Sequence, residues 1–139
     1  GTHASVLLDG TGRVLALSED IGRHNAIDKV VGKAALENID FKKTMLASTG
    51  RLTSEMVLKA AQIGIPIVVS MAAPTDKGIK IAETANLTLI GFARGGRFNI
   101  YTKPERIIQK NPENSRIYSE RYLFIVAFQI AFPFRYVKV

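Results

Sequence analysis

Arginine directly follows glycine four times in this chain, at Gly12-Arg13, Gly22-Arg23, Gly50-Arg51 and Gly96-Arg97. The pairing has a chemical meaning. Glycine lets a backbone come close to a ligand, and the planar guanidinium fork of arginine matches two oxygens of a phosphate. Each pair also has a plainer reading. His24 with Asp28, and Arg51 with Glu55, are spaced i, i+4 for contacts on a helix surface, and Ser54 reads as a first-turn residue. Gly95-Gly96 is good hairpin-turn chemistry, and a turn can also touch a ligand. Which reading applies depends on where the secondary-structure elements place these residues.

Two short apolar runs, residues 3 to 9 and 13 to 18, flank Asp9-Gly10-Thr11-Gly12, a turn sequence that predicts an antiparallel hairpin. From Arg23 to Asn38, Ile27, Val30, Val31, Ala34 and Ala35 repeat at helical spacing and predict one buried stripe. A strand follows at 44 to 49. A helix begins near Thr53, read as its N-cap, with Met56, Val57, Ala60 and Ala61 facing inward, and Gly64 ends it. Residues 65 to 71 form a β-branched run typical of a strand buried on both faces. Thr75 caps a third helix reaching about Asn86, and strands follow at 87 to 92 and, shorter, at 97 to 101.

A hairpin followed by alternating helices and strands is the order of an α/β layer fold with a mixed, mostly parallel sheet. In such sheets ligands bind beyond the carboxyl ends of the strands, where loops lead into helix N-termini. Three of the four Gly-Arg pairs fall on that edge: Gly22-Arg23-His24 after strand two, Thr49-Gly50-Arg51 after strand three, and Arg94-Gly95-Gly96-Arg97 after strand five. The loop from Ser70 to Thr75 and the first residues, Thr2 and His3, belong to the same edge. Gly12-Arg13 sits at the opposite end, in the hairpin turn, and is assigned to solvent.

Composition narrows the chemistry. The 139 residues, 47% hydrophobic, suffice for one domain and a tail. A formal charge of +7 favours anionic partners. With no cysteine, disulfides, thiolate metal sites and thiol nucleophiles are excluded within the chain. No secretory pattern and no apolar run of the roughly 20 residues that cross a bilayer is present, so a cytoplasmic protein without membrane contact is expected. The opening "GTHASVLLD" lacks an initiator methionine and is already in a strand pattern, so a preceding piece is expected elsewhere.

The segments "GTHAS", "EDIGRHNAIDKVVG", "STGRLTSEMVLKAAQIGIPIVVSMAAPT" and "LTLIGFARGGRFNIYTKPERI" resemble, in order and spacing, the C-terminal part of the formate dehydrogenase accessory sulfurtransferase family, FdhD, over residues 1 to about 107. The resemblance implies a three-layer α/β/α sandwich like that of cytidine deaminases. It implies sulfur transfer from a cysteine desulfurase, through a CxxC persulfide, to the molybdenum cofactor of formate dehydrogenase, a bis(molybdopterin guanine dinucleotide). By this likeness Phe92, Ala93, Arg94, Gly95, Gly96 and Arg97 contact that cofactor, of which a guanine nucleotide such as GDP is a partial mimic. Arg23, His24, Arg51 and Ser54 join them from the charge argument, with Asp28 and Glu55 shaping the site.

Sulfane sulfur rides on an exposed thiolate of lowered pKa. Because the chain has no thiol, it has no catalytic residue of its own for that step and is expected not to transfer sulfur alone; the family's CxxC precedes the "GTHA" motif. Deamination is rejected, and with it a metal site: His24 is followed by Asn25 and Ala26 rather than by a glutamate two residues on, and the P-C-x-x-C element is absent. Two other functions stay open. One is a non-catalytic carrier of the cofactor. The other, disfavoured for want of an aromatic stacking motif, is a basic RNA-binding module. A homodimer is conceivable, one copy for each guanylyl arm. Residues 108 to 139, a polar linker and an apolar extension with Phe124, Phe128, Phe132 and Phe134, depart from the family and are expected to pack into a groove.

Overall fold

A computed structural model describes residues 1–94 and 97–107, leaving aside the side chain of Arg97. The six strands are β1 (His3–Asp9), β2 (Val14–Asp20), β3 (Thr44–Ser48), β4 (Ile67–Ser70), β5 (Thr88–Arg94) and β6 (Arg97–Thr102). The three helices are α1 (Arg23–Leu36), α2 (Ser54–Ile63) and α3 (Asp76–Thr84), and they alternate with β2 to β5 along the chain. The strands form one sheet in the order β2-β1-β3-β4-β5-β6. The sheet is mixed, as expected. β2, β3, β4 and β5 share a direction, but β1 inserts antiparallel between β2 and β3, and β6 is antiparallel to β5, so the parallel ladders are β3–β4 and β4–β5.

The connections β2-α1-β3, β3-α2-β4 and β4-α3-β5 all advance across the sheet in the same direction. Right-handed crossovers of that kind place every helix on one face. Leu7, Leu46, Val68 and Leu89 of the strands accordingly meet Ile27 and Val30 of α1, Met56 and Val57 of α2, and Ala82 of α3 in one buried cluster. Val6, Leu8, Met45, Ala47, Ile67, Val69 and Ile90 point the other way and are also buried, joined there by Ala93, Phe98 and Ile107. Among the described residues the architecture is thus a sheet with a single helical layer, and the second helical layer of the expected α/β/α sandwich is not among them. The expected linker and apolar extension, 108 to 139, lie outside the described residues.

Local chemistry sets the element ends. Gly64 closes α2 with φ of 93°, a left-handed conformation that glycine adopts without a Cβ penalty. Thr75 caps α3 by accepting a hydrogen bond from the Gly78 amide at 3.1 Å. Helix α1 ends at Leu36, earlier than the periodicity suggests, because Asn38 turns to φ of 56°. Ala35, placed on the buried stripe by spacing, is exposed; Ala26, one turn before Val30, takes part in the buried face instead. At the open edge of the sheet, Lys33 of α1 donates to the Leu17 carbonyl at 2.8 Å and Lys29 to that of Glu19 at 3.4 Å, which covers the unpaired backbone of β2 with charge. No helix among the described residues is long and apolar enough to cross a membrane.

Helix α1 has no side-chain cap at Gly22, and Asp20 at the end of β2 instead holds the backbone that leads into it. Its carboxylate accepts hydrogen bonds from the Gly22 amide at 2.9 Å and from Asn25 Nδ2 at 3.2 Å, and it pairs with Lys29. The Lys29 contact foremost, then those from Gly22 and Asn25, hold the Asp20 pKa down to about 2 from an ordinary 3.8. Because the folded-state value is depressed, the stabilisation is complete above pH 3.8 and is lost as the pH falls through about 2. A carboxyl titration by NMR is expected to place the Asp20 midpoint near 2, and Asp20→Asn is expected to remove this part of the acid sensitivity. A midpoint at the ordinary aspartate value would contradict these contacts.

Candidate functional site

The loops that leave the carboxyl ends of β3 and β4 are joined to each other, and the β4 loop to the end of β5. The Met71 amide donates to the Ser48 carbonyl at 3.2 Å, Leu52 to Ala73 at 3.1 Å, Thr75 to Leu52 at 3.0 Å and Phe92 to Ala72 at 3.1 Å. Leu52 and Pro74 form a parallel bridge beyond the named strands. Below them, the Ser70 hydroxyl donates to the Gly50 carbonyl at 2.5 Å and accepts from the Ala72 amide at 3.1 Å, while Ser48 Oγ accepts from the Gly50 amide at 3.2 Å. Two glycines permit the crowding. A Cβ on Gly91 would lie 2.8 Å from Pro74 Cδ and 3.1 Å from the Ala72 carbonyl, and one on Gly78 only 2.6 Å from the Leu52 carbonyl.

Between these loops lies a cleft of about 440 Å³, lined by Thr49, Arg51, Met71, Ala72, Ala73, Phe92 and Arg94. Its cations come from different elements, Arg51 from the β3–α2 loop and Arg94 from the end of β5. Its apolar part is Met71 and the exposed ring of Phe92. The left-handed backbone of Phe92, φ 53°, is unusual for an aromatic residue and costs on the order of 1–3 kcal/mol. A basic, partly apolar cleft at the carboxyl edge suits a ligand with both a phosphate and a flat apolar portion.

Of the residues singled out from the sequence, Arg51, Phe92 and Arg94 line this cleft. Arg97 is the register partner of Arg94 at the head of the β5–β6 hairpin, whose turn residues Gly95 and Gly96 lie outside the described residues. Ala93 does not line the cleft; it is buried with Phe98 in the cluster on the face of the sheet away from the helices. Arg23 packs across Gly50, where a Cβ would meet its own Cβ at 2.8 Å, and its Nε is buried with no hydrogen-bond partner. Ser54 opens α2, and the hydroxyl of the preceding Thr53 is buried and unpartnered rather than capping the helix as its position predicts.

The helix-surface pairings read from spacing are replaced by contacts between helices. His24 Nε2 lies 3.6 Å from Glu55 of α2 rather than pairing with Asp28, and Asp28 pairs with Lys59 of α2 at 2.6 Å. Glu55, spaced for Arg51, is therefore engaged by His24. These two contacts bridge α1 and α2, while Arg23 packs on Gly50, next in the chain to Arg51. At the same edge His3 Nδ1 is 3.2 Å from Thr49 Oγ1, and the Ala4 amide donates to that oxygen at 3.0 Å. Thr49, Met71, Ala72 and Ala73 were absent from the candidate residues. Their signal was positional: they occupy the loops at the carboxyl edge, though nothing in their types announces a ligand.

Fold and cleft together define an α/β domain with a basic ligand-sized recess at the carboxyl edge of its sheet. Residues 1–108 match the FdhD/NarQ family, and the chain belongs to it. It is 48% identical over 107 residues to the sulfur carrier protein FdhD of Bacillus subtilis, covering 77% of this chain and 40% of that protein. It is 52% identical over 108 residues to the sulfur carrier protein FdhD of Thermoplasma acidophilum, covering 78% of this chain and 38% of that protein. A crystal structure from Desulfotalea psychrophila, described as a formate dehydrogenase accessory protein, superposes with a TM-score of 0.72 at 42% identity, over 77% of this chain and 48% of that one. The chain therefore spans less than half the length of each of these relatives.

Gly50 is the contact through which α1 reaches the β3–α2 loop. Gly50→Ala is expected to push Arg23 away and to destabilise the fold by about 1–3 kcal/mol, read as a lowered urea midpoint with unchanged slope. A midpoint equal to that of the unsubstituted chain would show that the packing of Arg23 on Gly50 is not tight.

Proposed function

We propose that this chain holds the molybdenum guanine dinucleotide cofactor by its guanylyl phosphates, as cargo, while the cofactor is sulfurated for formate dehydrogenase. The observation that carries the reading is the placement of Arg51, from the β3–α2 loop, and Arg94, from the end of β5, on one cleft that also exposes Phe92. Two guanidinium groups on different elements can take the oxygens of a diphosphate from two sides, a geometry that a single surface arginine does not offer. Arg97 is the register partner of Arg94 on the adjoining strand. Further support is the kinship with proteins named sulfur carrier protein FdhD and with one described as a formate dehydrogenase accessory protein.

Sulfur transfer requires a thiolate to bear the persulfide, and the chain contains no cysteine. Its own residues therefore bind and orient the acceptor, and the sulfur arrives on a thiol outside these 139 residues, charged by a cysteine desulfurase. The chain's part is positioning: the arginines fix the phosphates, and the rigid loops fix the arginines. A two-fold assembly would offer one such cleft to each guanylyl arm of the cofactor.

Calorimetry with GDP tests the reading. The 139-residue chain is expected to bind GDP at moderate salt, Arg51→Ala and Arg94→Ala each to weaken binding by about tenfold or more, and Arg13→Ala, in the turn at the far end of the sheet, to leave it unchanged. Equal losses from all three substitutions, with a steep salt dependence and no base preference, would point instead to a diffuse nucleic-acid-binding surface.

A further inference from the structure

The helix-facing side of the sheet changes character one step from its carboxyl edge. Ala16, Leu7, Leu46, Val68 and Leu89 stand in register across β2, β1, β3, β4 and β5, and all are buried in the cluster under the helices. The next row on that side, nearer the edge, is Ser18, Ser5, Ser48 and Ser70, again in register. Four neighbouring strands thus present a line of hydroxyls, and none of the four residues is more than 4% exposed.

The two halves of this line differ. Ser70 donates to the Gly50 carbonyl and accepts from the Ala72 amide, and Ser48 accepts from the Gly50 amide. Ser5 and Ser18, on the strands that α1 covers, have no hydrogen-bond partner among the described residues. A buried hydroxyl left unpaired costs more than an alanine in its place would. The other buried side-chain polar atoms without a partner among the described residues are Arg23 Nε and Thr53 Oγ1. Arg23 opens α1 and packs across Gly50, and Thr53 precedes α2 on the same loop as Gly50. The unpaired atoms are therefore confined to β1, β2, the start of α1 and the β3–α2 loop, rather than scattered over the fold.

Side chains in register on adjacent strands stand about 5 Å apart at Cβ. That span exceeds a direct hydroxyl–hydroxyl bond of about 2.8 Å and is close to two such bonds meeting at one oxygen. We infer that the space between α1 and the sheet at Ser5 and Ser18 is a binding site for ordered water, bridged by the two hydroxyls. Water fits this lining because it donates to one hydroxyl while accepting from another, or from Arg23 Nε, whereas an anion can only accept. The site shares no residue with the cleft of Arg51 and Arg94, and the inference does not depend on any ligand of that cleft. Its consequence is to seat the start of α1, from which Arg23 reaches Gly50, on bonds that exchange.

Two measurements on the 139-residue chain test it together. Oxygen-17 relaxation dispersion detects water that stays inside the protein longer than the protein takes to tumble. Ser5→Val and Ser18→Val each fill the space with a methyl group, and each is expected to lower the dispersion amplitude. Urea midpoints are then compared for Ser5→Ala, Ser18→Ala and the double variant. A shared water predicts that each single substitution lowers the midpoint and that the double variant loses clearly less than the two losses added. Midpoints raised by the single substitutions would show hydroxyls that are unsatisfied in the native fold, additive losses would show no common partner, and either would overturn the inference. A direct bond between Ser5 and Ser18 would reproduce the non-additivity with an unchanged dispersion amplitude, and would overturn it as well. So would a rise of the unsubstituted chain's midpoint with bromide that Ser5→Ala abolishes, which would mark an anion site instead.

Discussion

Everything at the carboxyl edge depends on backbone hydrogen bonds that continue beyond the sheet. Three loops that leave neighbouring strands ordinarily diverge into solvent and move independently. Here Ser48 with Met71, Leu52 with Ala73 and Thr75, and Phe92 with Ala72 extend the parallel ladder into the loops. The two hydroxyls of Ser48 and Ser70 anchor the turn at Gly50 from beneath. As a result Arg51 stands on a loop tied into the sheet and Arg94 on a strand, so little backbone ordering is required when an anion arrives. The glycines serve the same end: side chains at positions 78 and 91 would separate the loops.

The helices contribute through contacts that local sequence does not reveal. Spacing pointed to pairs within one helix, His24 with Asp28 and Arg51 with Glu55. The fold instead brings side chains of α1 and α2 together, His24 Nε2 3.6 Å from Glu55 and Asp28 paired with Lys59. Such exposed pairs add little stability singly. Glu55 thus lies by His24 of α1, while Arg51 lines the cleft.

The sequence was most legible where the physics is local. The order of elements followed from hydrophobic periodicity, the hairpin at Asp9 to Gly12 from turn chemistry, and the end of α2 from Gly64. The insertion of β1 between β2 and β3 is a long-range choice without a local signature, and it makes the sheet less parallel in its pairing than the element order suggests. The grouping of Gly50-Arg51 and Arg94 at one edge was readable, because that edge follows from topology alone. The bulge at Phe92 was not, since a phenylalanine gives no warning of positive φ, and neither was the turn of Ala93 away from the cleft. The family likeness pointed to the segment from Phe92 to Arg97 without saying which of its side chains face a ligand.

The central claim is that guanidinium groups from separate elements converge on one cleft that receives a nucleotide. The most direct measurement is an NMR titration of the isotopically labelled chain with GDP, following backbone amides and the Met71 methyl group. The account predicts saturable shifts concentrated at Thr49, Arg51, Met71 to Ala73, Phe92 and Arg94, with the turn from Asp9 to Arg13 unmoved. Shifts that fail to saturate, or that spread evenly over the basic surface with that turn included, would contradict it.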